Sequence, residues 1–187
     1  MIFDDTILDL LEKLRTPFLT DIFRGITFFG SAPVIVALSI GVVLILTMKK
    51  RGWTAIIFSY LTTVDFLLTY IIKNLTERSR PDVLERLARE TTYSLPSGHS
   101  SGSIFLYGAI LALILPYVRS RGSRFALTCL TALWILLIGL SRIYLGVHYL
   151  SDVLLGLLIG AVILVIFLKK GHIKKPARKV SLKSKRK

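Results

Sequence analysis

The stretch Ser141-Arg-Ile-Tyr-Leu-Gly-Val-His-Tyr-Leu-Ser-Asp152 joins two strongly apolar segments, yet it carries Arg142 and His148 as well as its terminal aspartate. If the segment after Gly146 is helical, His148 and Asp152 share one helical face, four residues apart. A carboxylate beside an imidazole fixes the tautomer and makes the other ring nitrogen more nucleophilic. Arg142 lies about 240° around such a helix, and a turn at Gly146 would bring it alongside. The stretch therefore indicates chemistry on an anionic group.

The composition of the whole chain is that of a membrane protein. The chain has 187 residues, of which 53% are hydrophobic, and its mean hydropathy is +0.65, too apolar for a typical soluble domain. Several near-uncharged runs approach the ~20 residues that cross a bilayer. We place the spans at about 32–48, 53–72, 101–117, 125–140 and 149–168. The predicted fold is all-α, a polytopic membrane helix bundle of about five transmembrane helices.

An amphipathic segment precedes the first span, at about residues 1–30. Ile7, Leu11 and Leu14 repeat at helical spacing with charged residues between them. Pro17 is expected to break or restart this helix. We interpret the segment as a helix lying at the membrane surface. A cap that packs on the bundle is the alternative.

The positive charge follows membrane topology rather than a nucleic-acid-binding face. The formal net charge is +14, and ten of the 25 Lys and Arg residues lie in the tail at 169–187. The tail and the loops at 49–51 and 119–124 lie on one side of the membrane and together carry sixteen Lys and Arg residues. The other side carries nine. The positive-inside rule makes the first side, with the C-terminus, cytoplasmic. The pattern argues against nucleic acid as a partner, and a single cysteine excludes an intrachain disulfide.

On the other side of the membrane, the loop at 73–99 has a further motif at each of its ends. The second span ends with Lys73 and Arg80, seven residues apart and on one face if both are helical, and Pro81 is expected to end that helix. Arg grips phosphate through two N–H groups, and Lys adds a point charge. Residues that snorkel to the interface are the alternative. The charged residues at 82–90 are expected to form a solvated helical face.

Pro96-Ser-Gly-His99 stands directly before the third span. Backbone N–H groups at a helix start favour an anion, the Ser97 hydroxyl adds a donor, and Gly98 permits close approach. His99 would be placed to protonate a leaving oxygen. A simple N-cap and turn is the alternative interpretation of this motif. Together with the other two motifs, it indicates phosphoryl transfer without a metal.

The three motifs resemble the type 2 phosphatidic acid phosphatase superfamily. They are Lys-x6-Arg-Pro at 73–81, Pro-Ser-Gly-His at 96–99 and Ser-Arg-x5-His-x3-Asp at 141–152, in the order of that family. The resemblance implies a helical bundle and a phosphohistidine mechanism with no cofactor and no metal. Members often have six spans, so the amphipathic segment would stand in place of a first span.

The resemblance also implies a role for each matching residue. His148 would be the nucleophile, Asp152 its orienting partner, and His99 the acid that protonates the leaving group and then the base that activates water. The implied phosphate-binding residues are Lys73, Arg80, Ser97, Gly98 and Arg142. Residues 31–168 would form the phosphatase domain and 169–187 a basic cytoplasmic tail.

The implied activity is hydrolysis of a lipid phosphate at the outer face of a bacterial inner membrane. The lipid substrate and the bilayer are the expected partners, and the sequence leaves the oligomeric state open. Among relatives' substrates we place undecaprenyl diphosphate first, lipid A second and phosphatidylglycerol phosphate third. The motifs specify the binding of phosphate and do not specify the lipid that carries it. A lipid-to-lipid phosphotransferase would use the same residues. Vanadate-dependent halide oxidation and a non-enzymatic protein that binds through its basic tail are weaker alternatives.

Two features within the spans lie outside the motifs. Asp65 falls in the middle of the second span, where a charge is costly. A hydrogen-bonded or protonated structural aspartate is favoured slightly over a functional one. Gly156 and Gly160 form a GxxxG pattern that predicts a close contact between helices.

Overall fold

The computed structural model describes residues 2–83, 87, 88 and 90–173, and every regular element in these ranges is helical. The elements are α1 (Ile2–Lys13), α2 (Pro17–Phe28), α3 (Ala32–Met48), α4 (Gly52–Thr76), α5 (Gly98–Ile114), a 3-10 turn (Leu115–Tyr117), α6 (Arg121–Tyr144) and α7 (Leu150–Lys170). The prediction of an all-α membrane bundle is confirmed. The basic tail beyond residue 173 lies outside the described residues.

Four of these helices are long and apolar enough to cross a membrane: α4, α5 with its 3-10 turn, α6 and α7. The predicted first span, α3, has 17 residues and reaches the required length only together with α2, at a bend of 41°. Several helices continue beyond the predicted spans. For example, α4 runs to Thr76 and α6 to Tyr144, because a helix does not end where its side chains become polar.

The amphipathic segment forms two helices, divided as predicted near Pro17. Thr16 caps α2, its hydroxyl accepting a hydrogen bond from the backbone N–H of Leu19 at 3.2 Å. Helix α1 packs on α6 and α7, with Leu8 buried against them. Other apolar residues of α1 and α2, such as Phe3 and Phe18, stay exposed. The segment thus covers the bundle with one face and presents apolar side chains with another.

Helices α5 and α7 form a close contact through small residues, as the GxxxG pattern predicts. A Cβ atom on Gly156 would meet the carbonyl oxygen of Ser97, and one on Gly160 would meet that of Ser101. In a membrane, helices associate through packing rather than through hydrophobic burial, so small residues that allow close approach stabilise the pair. This contact sets α5 against α7 at the end of the bundle where both helices begin.

That end of the bundle, which we call the site end, also receives the last turns of α4 and α6. The larger apolar core lies further along, where Phe58 stacks on Phe105 with ring centroids 5.5 Å apart and Phe167 meets both edge-on. The helices are therefore packed firmly below the site end, and the polar loops assemble on top of them.

Candidate active site

A cavity at the site end brings together residues from all three sequence motifs. It has a volume of about 290 Å³. Of the predicted site residues, Lys73, Arg80, Gly98, His99 and His148 line it. Ser97, Arg142 and Asp152 are buried directly behind its wall. We call this space the active-site cavity.

The turn between α6 and α7 places His148. Gly146 adopts a positive φ of 71°, and the backbone N–H groups of Val147 and His148 both donate to the carbonyl of Arg142 at 3.2 Å. A left-handed φ of this kind favours glycine. The turn brings the Arg142 and His148 backbones together, as predicted. It also buries both side chains, leaving each 2% exposed.

His148 and Asp152 do not share a helical face, so that expectation is wrong. Helix α7 begins at Leu150, and Tyr149 is its extended N-cap residue. Asp152 instead reaches back from the first turn, its Oδ2 accepting from the Tyr149 N–H at 2.9 Å. The carboxylate is thereby held 3.5 Å from His148 Nδ1. The predicted pairing therefore exists, but helix capping produces it.

The two nitrogens of the His148 ring face different partners. Nδ1 lies 3.3 Å from the Ser94 hydroxyl and Nε2 lies 3.4 Å from Arg80 Nη1. A guanidinium can only donate, so the nitrogen facing it must carry the lone pair. The proton then belongs on Nδ1, which points toward two oxygens. In this tautomer the nitrogen at the cavity wall, Nε2, carries the lone pair.

The surroundings also keep His148 neutral. Burial lowers the pKa of its imidazole, and the positive charges of Arg142, Arg80 and Lys73 lower it further. The hydrogen bond with Asp152 opposes these effects, and the resulting pKa is about 3. A neutral imidazole is the form that can attack an electrophile.

Asp152 has two further partners that the sequence analysis did not identify. Ser94 Oγ donates to Oδ2 at 2.5 Å, and Arg78 Nη1 donates to Oδ1 at 2.6 Å. Ser94 stands two residues before the Pro-Ser-Gly-His motif, and Arg78 two residues before Arg80. Their nearness to these motifs is the only signal in the sequence that would indicate them as site residues, because their contacts with Asp152 depend on the conformation of the loop.

The cations at the end of α4 do not share a helical face either. The helix stops at Thr76, and Glu77 follows with a positive φ of 44°. Lys73 donates to the carbonyls of Tyr93 and Ser94. Arg80, beyond the helix, donates to the carbonyls of Thr92 at 2.8 Å and Val147 at 2.7 Å. Carbonyl oxygens of the loop and of the turn therefore fix both cations at the cavity.

Arg142 is held by residues on either side of it. Nη1 donates to Thr27 Oγ1 at 2.7 Å, and Nη2 pairs with the Glu90 carboxylate. Glu90 also lies 3.7 Å from Arg80 Nη2. The expected solvated helical face at 82–90 is thus wrong for Glu90, which is not helical and binds two arginines at the cavity. Residues 84–86 and 89 lie outside the described residues.

The Pro-Ser-Gly-His motif begins α5, with Ser97 as the N-cap residue, as its simpler interpretation predicts. The Ser97 hydroxyl accepts from the N–H and the hydroxyl of Ser100 at 3.4 and 3.0 Å, so it caps the helix. The Ser97 N–H donates to the Asp152 carbonyl at 2.9 Å. Gly98 and His99, in the first turn, face the cavity. The backbone N–H groups of a first turn have no acceptor within their own helix and favour an anion.

Asp65 lies at the deep end of the same cavity and is 3% exposed. It accepts a hydrogen bond from the Ser101 hydroxyl of α5. The favoured interpretation, a hydrogen-bonded aspartate, agrees with this contact. Within the described ranges, no group of three or more His, Cys, Asp and Glu side chains is arranged to hold a metal ion.

A membrane helix bundle with a cavity that holds an oriented imidazole, a second imidazole and several cations defines a class, the integral-membrane enzymes that act on phosphate groups. The family model of the PAP2 superfamily matches residues 31–174. Phosphatidylglycerophosphatase B of Bacillus subtilis is 31% identical over 180 residues, covering 94% of this chain and 85% of the relative. The chain belongs to the PAP2 superfamily and is a membrane lipid phosphatase.

Two solved structures have the same architecture. The crystal structure of a transmembrane PAP2-type phosphatidylglycerolphosphate phosphatase from Bacillus subtilis has a TM-score of 0.76 and 28% identity, over 88% of this chain and 82% of that one. The crystal structure of Aquifex aeolicus LpxE has a TM-score of 0.67 and 25% identity, over 88% of this chain and 93% of that one.

Proposed function

We propose that the protein hydrolyses a lipid phosphate through a phosphohistidine intermediate on His148. The observation that carries this proposal is the placement of His148 Nε2 at the cavity wall, with Arg80 on its nucleophilic side and Asp152 and Ser94 behind the ring. In the first step Nε2 forms a bond to phosphorus as the bond from phosphorus to the lipid oxygen breaks. His99, on the same cavity, gives its proton to that oxygen.

The second step regenerates the enzyme. His99, now neutral, takes a proton from a water molecule, whose oxygen attacks phosphorus as the bond to Nε2 breaks. Inorganic phosphate leaves. In both steps Lys73, Arg80 and the first-turn N–H groups of α5 stabilise the charge on the phosphoryl oxygens, and Arg142 supports them from behind the wall.

We further propose that the substrate carries two phosphates and loses the terminal one. A second pocket of about 600 Å³ shares Lys73 and Arg80 with the active-site cavity. Arg78 also lines it, but the carboxylates of Asp152 and Asp4 bind its guanidinium. A phosphate next to the one being cleaved would lie against Lys73 and Arg80. Undecaprenyl diphosphate carries its second phosphate in the same diphosphate group, and phosphatidylglycerol phosphate carries it on the other side of a glycerol. The Bacillus subtilis relative favours the second, and lipid A 1-phosphate, a monophosphate, fits this pocket less well.

The bundle is proposed to lie in a bacterial inner membrane with the site end facing outward. The basic loops lie at the opposite end of the bundle from the cavity. The positive-inside rule assigns that end, together with the C-terminus, to the cytoplasm. A lipid whose acyl or prenyl chains stay in the outer leaflet would then present its phosphate at the level of the cavity.

The test is phosphate release by purified protein in detergent, with EDTA present, from the three lipids in parallel. We expect release from the two diphosphorylated lipids and, in His148→Ala, none above background. The protein quenched in alkali should carry phosphate on histidine, a bond stable in base and labile in acid. Active His148→Ala would overturn the mechanism. Transfer of labelled phosphate to an added lipid alcohol, without release, would identify a phosphotransferase.

A further inference from the structure

Arg78 binds the carboxylate of Asp152 from the side opposite His148. Its Nη1 donates to Asp152 Oδ1 at 2.6 Å and to Ser151 Oγ at 2.7 Å. The guanidinium also lies over the Tyr149 ring, 4.4 Å from its centroid. The main chain adds a further tie, since the Arg78 carbonyl accepts from the N–H of Ser94 at 2.9 Å. Arg78 thus contacts the two residues that face His148 Nδ1.

Because Arg78 binds Asp152, the two oxygens of the carboxylate have different partners. Oδ1 is taken by Arg78, while Oδ2 accepts from Ser94 and from the Tyr149 N–H and faces His148. Rotation of the carboxylate about its χ2 bond would break the charge-assisted bond to Arg78. The arginine therefore holds Oδ2 in the direction of the imidazole.

The N-terminal helix holds Arg78 in turn. Asp4 of α1 is 7% exposed, and its Oδ2 accepts from Arg78 Nη2 at 2.9 Å. Its carboxylate also accepts from the N–H and the hydroxyl of Ser151 at 2.9 and 2.5 Å. Burial alone would raise the pKa of Asp4, but the hydrogen bonds from Ser151 and Arg78 outweigh it and lower the pKa. Asp4 is therefore ionised when it binds the arginine.

We propose that Arg78 is a positioning residue that fixes the orientation of Asp152, and that Asp4 makes helix α1 part of the support of the nucleophile. The proposal rests on the proposed role of His148. It gives the amphipathic segment a function beyond covering the bundle, because displacement of α1 would release Arg78 and slow attack by His148.

A residue that only stabilises the fold would give a different experimental result from a positioning residue. Substituting a residue that only stabilises the fold would lower the amount of folded protein, and the folded fraction would keep its turnover number and its His148 tautomer. A positioning residue changes kcat and the tautomer while the phosphate-binding groups, and with them KM, stay in place.

The experiment compares Arg78→Gln, Arg78→Lys and Asp4→Asn with the wild type in detergent. At metal sites, losing a residue that orients a ligand typically lowers activity about 10- to 100-fold, and we expect a fall in kcat of the same order for Arg78→Gln, with KM changed less than about threefold. Lys should restore part of kcat, because it supplies the charge but not the two-pronged contact. Asp4→Asn should lower kcat less, and should add nothing in an Arg78→Gln background.

A second readout does not depend on activity. Long-range proton–nitrogen NMR on histidine-labelled protein reports which nitrogen of His148 carries the proton. The signal is assigned by its loss in His148→Asn. The wild type should show the Nδ1–H tautomer, and Arg78→Gln a mixture. If the wild type releases no phosphate from any lipid, the proposed function fails, while this measurement still decides the positioning role.

A matched control comes from an ion pair elsewhere on the N-terminal helices. Arg24 and Asp21 lie 3.6 Å apart on α2, and both side chains are exposed. Asp21→Asn should leave kcat and the tautomer unchanged. Wild-type kcat and tautomer in Arg78→Gln would overturn the proposal. If that variant does not fold, an unchanged kcat and tautomer in both Arg78→Lys and Asp4→Asn would overturn it.

Discussion

Arg80 and His148 meet through Nη1 and Nε2 at 3.4 Å, so a group that can only donate faces the nitrogen proposed to attack phosphorus. The opposite nitrogen, Nδ1, faces Ser94 and Asp152. One ring is thus oriented from both sides, by a cation in front and by acceptors behind.

The first prediction concerns the group behind the ring. Asp152→Asn keeps the shape and an acceptor oxygen for the Tyr149 N–H, but its amide can turn an N–H toward Nδ1 and favour the wrong tautomer. We expect folding to be retained and kcat to fall on the order of 10²- to 10⁴-fold, the range in which misplaced proton-transfer groups act. Single-turnover labelling should place the loss in formation of the phosphohistidine. An unchanged rate would remove Asp152 from the orienting role.

The second prediction separates the role of His99 from that of His148. A general acid matters most when the leaving oxygen is strongly basic. His99→Gln should therefore slow release from an alkyl phosphate lipid on the order of 100-fold or more, and slow phosphohistidine formation from an aryl phosphate far less. Paired assays of the two substrates measure the difference. Equal losses on both would show that His99 binds phosphate rather than donating a proton.

The third prediction follows from the low pKa of His148. The pKa of about 3 in the folded protein lies below the ordinary value of 6.5. Between these two values the unfolded chain binds a proton that the folded chain does not, so the free energy of unfolding rises with pH there. This contribution is complete above pH 6.5 and is lost as the pH falls toward 3.

Thermal unfolding in detergent at about pH 7 and about pH 4.5, on either side of the ordinary histidine pKa, tests this dependence. The midpoint of the wild type should fall further on acidification than that of His148→Asn, which lacks the titrating group. His172→Asn is the control, since His172 lies near Trp53 at the far end of the bundle. Equal falls in the wild type and His148→Asn would mean that His148 is protonated in the folded protein.

The fourth prediction concerns Glu90, which occupies the guanidinium groups of Arg142 and Arg80. A phosphate group would compete with its carboxylate for these donors. Glu90→Gln should therefore strengthen inhibition by inorganic phosphate, about tenfold if roughly 1.4 kcal/mol of competition is removed. Asp82→Asn, an exposed change in the same loop, is the control. Weaker inhibition in Glu90→Gln would show that Glu90 serves mainly to hold Arg142.

The sequence predicts the site where topology alone brings residues together. Lys73, His99 and His148 follow or precede apolar spans, and alternating spans place those ends on one side of the membrane. The structure shows all three on one cavity. Their chemical roles remain predictions that the variants above would test.

What the sequence does not predict comes mostly from the loop between α4 and α5. Arg78, Glu90 and Ser94 have no periodic pattern, and their positions depend on contacts with residues far along the chain, such as Asp152. The same holds for Asp4, which lies 147 residues from its partner Ser151. Local propensity carries no information on such pairs. The helical face assumed for His148 and Asp152 failed for a related reason, because the cap at Tyr149 decides where α7 begins.

The last prediction tests whether the contact between α5 and α7 sets the geometry of the cavity. A Cβ atom on Gly156 would meet the Ser97 carbonyl and lie 3.1 Å from Ser100 Cβ, so Gly156→Ala must push the first turn of α5 away from α7. Overpacking of this kind costs about 1–3 kcal/mol. A shift of about 1 Å at reacting groups can lower the rate about 100-fold.

We therefore expect Gly156→Ala to lose activity out of proportion to its loss of thermal stability, since His99 would move relative to His148. Gly41→Ala is the matched control, because a Cβ atom added at Gly41 in α3 would have nothing within 4 Å of it. That change should keep full activity and reveal the small intrinsic gain of alanine over glycine in a helix. Wild-type kcat in Gly156→Ala would mean that the cavity tolerates movement of α5, and that its loops rather than its helices hold the two histidines in register.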